Sequence, residues 1–228
     1  MLARYPRFID RRDIARPVTF PWIAWLLLSV ALVLFFSPTL TTAVPVWIDE
    51  TMLVELGHNV LSPPSPGELS FSQMSASRRP AYSMSMLGGI LQELAYRVTA
   101  PSNFGTRLSS LLGQLTASGA LLYFLLLRGA PLSLSWLLSL AFLLDPLCDI
   151  SWRGARVDAW VMACGFGALI LIHQGGRSAL VVAGLFSTVG FGLWPSFAML
   201  VPLLAVGAWE VHRARLWQLR YFALGAAV

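Results

Sequence analysis

The chain has 228 residues, 57% of them hydrophobic and only 12% charged, and it carries a net charge of +5. An average soluble domain is about 25% charged, and the mean hydropathy here is +0.69. These values exclude a disordered chain, a disulfide scaffold and an ordinary cytosolic domain, and they point to an integral membrane protein with several spans.

Residues 1–19 are polar and carry Arg4, Arg7, Arg11, Arg12 and Arg16. They read as a cytoplasmic basic N-terminus. The first transmembrane span is placed at 20–40, around the uncharged run Trp22 to Phe36. The long basic segment before it, with no A-x-A site after it, favours an uncleaved span over a signal peptide. Residues 41–102 form an outer loop. In it, Trp47 to Val60 is predicted as a short helix with Ile48, Met52, Leu56 and Val60 near one face. Ser62 to Arg79 is rich in Ser and Pro and is expected to be irregular. Ala81 to Val98 is apolar but carries Gln92, Glu93 and Arg97. Charges at a bilayer centre are costly, so this segment suits a juxtamembrane helix better than a span.

Residues 103–228 read as a transmembrane bundle. Its apolar runs are Leu108 to Leu127, Pro131 to Cys148, Val157 to Ile172, Ala179 to Trp194 and Pro195 to Trp209. Tyr221 to Val228 looks like the start of another span, so the chain reads as the N-terminal portion of a longer protein. The expected fold is an all-α polytopic transmembrane bundle of about six to seven spans, with juxtamembrane helices in the first outer loop. The basic clusters 4–16, Arg128, Arg177 and Arg213–Arg220 share one side of the membrane if 81–98 does not cross. Arginines placed in short loops between apolar runs serve topology rather than nucleic-acid binding. Cys148 and Cys164 lie in or beside apolar runs and read as small buried hydrophobes. His173 and His212 fall at cytoplasmic span ends, where snorkelling is the default.

The same arrangement brings two acidic patches to the outer side. Asp49 and Glu50 open the short helix, where the helix dipole favours acids. At a membrane surface these carboxylates could also serve as general base or metal ligand. His58 stands on the exposed face of that helix, at the rim of such a site. The stretch Asp149 to Asp158 adds Arg153 and Arg156 at a span boundary. Asp158 there is a simple N-terminal helix cap or an Arg156 salt-bridge partner on one reading. On the other, the arginines hold a phosphate and Asp158 helps to hold a metal.

Taken in order, these motifs resemble membrane glycosyltransferases of the GT-C superfamily, of the protein O-mannosyltransferase and aminoarabinose-transferase type. After one span comes an acidic pair in an outer loop, here Trp47-Ile48-Asp49-Glu50-Thr51. The family's His/Lys-Pro-Pro segment is matched by Arg78-Arg79-Pro80-Ala81-Tyr82, with Arg79 at the basic position and Ala81 at the second proline. Its Arg-Leu-Pro-Ser start to the second span is matched by Arg107-Leu108-Ser109-Ser110. Its second-loop motif is matched by Arg153 to Asp158. The Thr-Lys often found between the fifth and sixth spans is replaced by Leu193-Trp194-Pro195.

The resemblance implies a polyprenyl-phosphate-linked sugar as donor, an acceptor hydroxyl on the outer side and inversion at the anomeric carbon. It makes Asp49 the catalytic carboxylate, with Glu50 beside it. Arg79 and His58 are candidate substrate contacts, and Arg153 and Arg156 are candidates for the lipid phosphate, whose negative charge they would stabilise as it leaves. Asp49 and Asp158 are the candidate ligands of a divalent metal, which some family members bind. Family type and arginine-only basic usage point to a bacterial inner (plasma) membrane, with the lipid bilayer as partner, multiple passes and a cytoplasmic N-terminus. The rival reading is a non-catalytic GT-C-like subunit of a larger membrane protein complex. A transporter is disfavoured, because its charges belong near the bilayer midplane rather than at one surface.

Overall fold

The computed structural model describes residues 21–42, 48–61, 85–100 and 102–227, apart from the side chains of 48, 49, 59 and 214. Arg79 lies outside the described residues. Every regular element among them is a helix. Helix α1 (Trp22–Phe36) continues through a 3-10 turn (Ser37–Thr39) into one apolar stretch of 18 residues. Two short helices follow, α2 (Ile48–Leu61) and α3 (Met86–Thr99). Then come α4 (Phe104–Leu127), α5 (Leu132–Leu143), α6 (Pro146–Arg153), α7 (Asp158–Gln174) and α8 (Arg177–Leu193). A 3-10 segment (Pro195–Leu200) leads into α9 (Val201–His212), and a second (Arg213–Gln218) leads into α10 (Leu219–Ala226).

Three of these stretches are long and apolar enough to cross a membrane: Trp22–Thr39, Phe104–Leu127 and Pro195–His212. Counting the bent pair α5–α6 as one span makes four. That is fewer than the six to seven expected from the sequence. The difference lies in α7 and α8, apolar helices of only 17 residues, and in the break of the run Pro131 to Cys148. The break has a local cause. Asp145 caps α6, its Oδ1 accepting from the backbone of Leu147 at 2.8 Å and Cys148 at 3.4 Å, and Pro146 takes the first helical position. The axes of α5 and α6 differ by 50°.

Apolar surface is abundant on the outside. On α1, Ile23, Leu26, Leu27, Leu34 and Phe35 are all exposed. Such a face is unusual in water and ordinary in lipid. The interior is centred on α7, which packs against α4, α8 and α9. Its buried positions are mostly small or aliphatic, among them Ala163, Cys164, Gly165, Ala168, Leu169 and Ile172. Small residues also let backbones approach elsewhere. A Cβ on Gly57 would strike the Gly89 carbonyl, so α2 and α3 cross in backbone contact. The reversal between α7 and α8 is made by Gly175 and Gly176, whose φ values of 69° and 93° suit glycine.

The contacts fix the chain direction through the bundle. Helices α4 and α7 run parallel: Trp160 touches Ser109 near their starts, and Phe124 touches His173 near their ends. Helix α1 runs opposite to α4. Its first turns put Trp25 against Gly119, and beyond its end the Leu40 carbonyl accepts from Arg107. The end of α1 and the start of α4 therefore lie together, and α2 and α3 stay at that same end. At 14 residues, α3 is about 21 Å long, short of a hydrocarbon core of about 30 Å.

Helix α2 corrects one expectation. Its buried positions are Glu50, Leu53 and Gly57, whereas Met52 and Leu56 are half-buried and Val60 is exposed. The face turned inward is the one that carries Glu50, because an arginine waits for it on α4. His212 also departs from the snorkelling expected of it. It is buried, with Nε2 3.1 Å from the Ile172 carbonyl.

Candidate functional site

One end of the bundle collects the polar contacts of α2, α3, the start of α4, the α6–α7 junction and the start of the 3-10 segment before α9. Its deepest feature is an ion pair. Arg107 donates through Nε to Glu50 Oε1 and through Nη2 to Oε2, each at 3.2 Å, and both side chains are only 2% exposed. Arg107 Nη1 donates to the Leu40 carbonyl at 2.7 Å, and Thr106 Oγ1 lies 3.2 Å from Glu50 Oε1. A buried charge pair persists only when its hydrogen bonds are met in this way. Glu50 thus ties the first turn of α2 to α4 and to the segment after α1. Asp49, its neighbour on that turn, is described by its backbone alone.

A second buried acid lies behind it on α3. Glu93 Oε1 accepts from Arg97 Nε at 2.7 Å and stands 3.0 Å from His58 Nδ1. His58 itself is half exposed, so it bridges α2 to α3 at the surface. Gln92, fully buried, joins three elements. Its amide donates to Ser110 Oγ on α4 at 3.0 Å and to the Ala155 carbonyl in the α6–α7 junction at 2.7 Å.

That junction holds the remaining candidates. Arg156 Nε donates to Asp158 Oδ2 at 2.7 Å, and Ser196 Oγ donates to Asp158 Oδ1 at 3.1 Å. Asp158 is the first residue of α7, while Val157 holds the cap position with no side-chain hydrogen bond, so Asp158 is the partner of Arg156 in the first helical turn and not the cap. Arg153 donates through Nε to Asp149 at 2.8 Å, and its guanidinium lies over the rings of Trp152 (4.6 Å) and Phe36 (5.3 Å). Both arginines remain partly exposed at this end, a setting in which a guanidinium can recognise phosphate.

Metal binding gains little from this geometry. Among the described residues, no group of three or more His, Cys, Asp or Glu side chains is placed to hold an ion. Both oxygens of Asp158 are engaged by Arg156 and Ser196.

Sequence reasoning missed Gln92, Glu93 and Ser196 as parts of this end, and it took Arg107 only as a motif match. Arg107 had a signal, since a lone arginine beside an apolar run needs an acid. Gln92 had none, because its partner is a backbone carbonyl 63 residues away.

The opposite end is basic. Arg128 grips Glu210 with two hydrogen bonds of 3.1 and 3.0 Å, and His173 lies 3.2 Å from Arg128 Nη1. Arg177 stacks over Tyr221, and Arg220 stacks over Trp217 and Tyr221. In comparisons with known proteins, no family model, no curated sequence and no solved structure matches the chain.

Proposed function

We propose that the chain is the N-terminal part of a GT-C-like membrane glycosyltransferase that moves a sugar from a polyprenyl-phosphate donor to an acceptor hydroxyl. The observation that carries this reading is convergence. Three motifs of the ordered set, far apart in the chain, touch at one end of the bundle. Glu50 of the first meets Arg107 of the second. Through Gln92, Ser110 of the second is joined to Ala155 within the third.

In this reading six segments cross: α1, α4, α5–α6, α7, α8 and Pro195–His212. The 17 residues of α7 and of α8 reach about 25 Å each, at the short limit for a span. The basic end, which receives Arg128, Arg177 and the start of α1, is cytoplasmic by the positive-inside rule. The polar end then faces outward, from the inner membrane of a bacterium. Asp49 takes the proton of the acceptor hydroxyl as its oxygen attacks the anomeric carbon. The bond from that carbon to the phosphate oxygen breaks, and the polyprenyl phosphate leaves with the electron pair. Arg153 and Arg156 stabilise that negative charge. Glu50 holds α2 in place rather than taking the proton, since Arg107 occupies both of its oxygens.

The test is Asp49→Asn in the full-length protein, assayed with a polyprenyl-phosphate sugar. Transfer is expected to fall by about a hundredfold or more, the low end for loss of a general base, with the thermal midpoint unchanged. Normal turnover would remove the reading. A second reading, a structural subunit of a membrane complex, is favoured by one observation: at this end Glu50 is paired with Arg107 and Asp158 with Arg156. Stable co-purification with other membrane proteins, without sugar transfer, would establish it.

A further inference from the structure

We propose that the basic end of the bundle binds the phosphate of an anionic phospholipid, held between Arg177 at the start of α8 and Arg220 at the start of α10. This end carries Arg128, Arg177, Arg213, Arg215 and Arg220. Glu210 is the one acid in the sequence beyond Asp158, and Arg128 already occupies both of its carboxylate oxygens. Arg177 and Arg220 are exposed and form no ion pair among the described residues. Arg177 is also placed against the helix dipole. It is the first residue of α8, whose first turn holds no acid and no capping side chain. A helix start presents positive partial charge, which favours an anion and disfavours a cation.

The two guanidinia converge on one ring. Arg177 lies 5.6 Å from the centre of the Tyr221 ring, and Arg220 lies 4.9 Å from it. Arg220 Nη2 also donates to Tyr221 Oη at 3.0 Å. Two like charges gathered on one phenol repel each other, and a phosphate between them turns that repulsion into attraction. The backbone holds them there. Helices α8 and α10 run side by side, so close that a Cβ on Gly184 would strike the Phe222 carbonyl and one on Gly225 the Val181 carbonyl. Thr188 Oγ1 of α8 donates to the Ala226 carbonyl of α10 at 3.1 Å. A guanidinium carries five N–H donors. Among the described residues Arg177 uses none of them and Arg220 uses one, so each can offer a pair of hydrogen bonds to phosphate. A lipid suits this place better than a soluble acidic partner. The arginines stand at the ends of apolar helices, beside Leu216, Trp217 and Leu224, which are exposed. That fringe fits acyl chains below a headgroup, with Trp217 at the interface.

The site does not depend on the transfer reaction proposed above. The experiment measures lipid binding to the full-length protein in detergent by native mass spectrometry, with phosphatidylglycerol and phosphatidylcholine of the same acyl chains. Phosphatidylglycerol should bind at least about tenfold more tightly. Arg177→Gln and Arg220→Gln should each weaken it about fivefold, and together they should abolish the preference. Both positions are exposed, so the variants keep the fold, and unchanged thermal midpoints check this. The pair Arg213→Gln with Arg215→Gln removes the same charge from the neighbouring segment and should leave most of the preference intact. An equal loss in that pair would mean diffuse attraction to a basic surface and would overturn the site. Equal affinity of wild type and the Arg177–Arg220 double variant would overturn it, as would equal affinity for phosphatidylcholine. Displacement of the lipid by inorganic phosphate at low millimolar concentration would show a site for free anions and overturn the lipid as occupant.

Discussion

Gln92 donates its side-chain amide to the carbonyl of Ala155 at 2.7 Å, and Ala155 is a non-glycine residue with φ of 53°. A left-handed alanine costs about 1–2 kcal/mol, and such strain persists where neighbours over-determine it. Here the neighbour is a fully buried side chain on α3, which also holds Ser110 of α4. The α6–α7 junction, with Arg156 and Asp158 behind it, is therefore set by the short helix α3.

Gln92→Leu should cost about 1–3 kcal/mol, because the buried Ala155 carbonyl loses its donor. The measurement is thermal or denaturant unfolding of the purified protein. In the enzyme reading the same variant should also weaken donor binding, as Arg156 loses its placement. A stable Gln92→Leu variant would mean that the junction holds itself.

The pair Glu50–Arg107 behaves differently from a surface salt bridge. Removing one partner leaves a buried charge, so Glu50→Ala or Arg107→Ala should each cost about 3–5 kcal/mol. Replacing both with methionine should restore much of the loss, since no charge is then stranded. Arg128→Gln at the other end, where both partners are well exposed, should cost no more than about 1 kcal/mol. A double-mutant cycle on Glu50 and Arg107, with unfolding as the readout, checks the coupling. Additive effects would mean that the two residues do not act as a unit.

The glycine crossing of α2 and α3 makes a prediction about size alone. In Gly57→Ala the new methyl meets the backbone carbonyl of Gly89, which cannot rotate away. In Gly207→Ala it meets the end of the Leu169 side chain at 2.6 Å, which can. The first should cost about 1–3 kcal/mol by overpacking, and the second well under that. Equal melting temperatures for the two variants would show that α2 and α3 part easily.

Periodicity and hydropathy made most of the helices legible. Their boundaries fall within a few residues of the apolar runs, as for Val157 to Ile172 against Asp158–Gln174. Hydropathy is a sum over many side chains, so single exceptions do not hide it. The face of α2 was not legible, because apolar periodicity cannot see that Glu50 has a partner 57 residues away. The break in the run from Pro131 was legible in principle. Asp145-Pro146 is an N-cap followed by an N1 proline, but continuous hydropathy across it masks the stop. The charged residues of the site were legible as candidates. Their pairing was not, because it depends on which helix ends meet.

The direction of the chain through the membrane is the expectation with the sharpest outcome. Thr42, beyond α1, and Ser178, at the start of α8, are both exposed and lie at opposite ends of the bundle. Three crossings separate them in the six-span reading: α4, α5–α6 and α7. With Cys148 and Cys164 replaced by alanine, a membrane-impermeant maleimide applied to intact cells lacking an outer barrier should label Thr42→Cys. It should label Ser178→Cys only after the membrane is opened. If either α5–α6 or α7 failed to cross, the two positions would share a side and label alike. Labelling of Ser178→Cys alone would invert the topology and place Asp158 and Arg156 in the cytoplasm, where a donor on the outer leaflet could not reach them. The single pair of substitutions therefore tests the bent span, the short helix α7 and the outward position of the site at once.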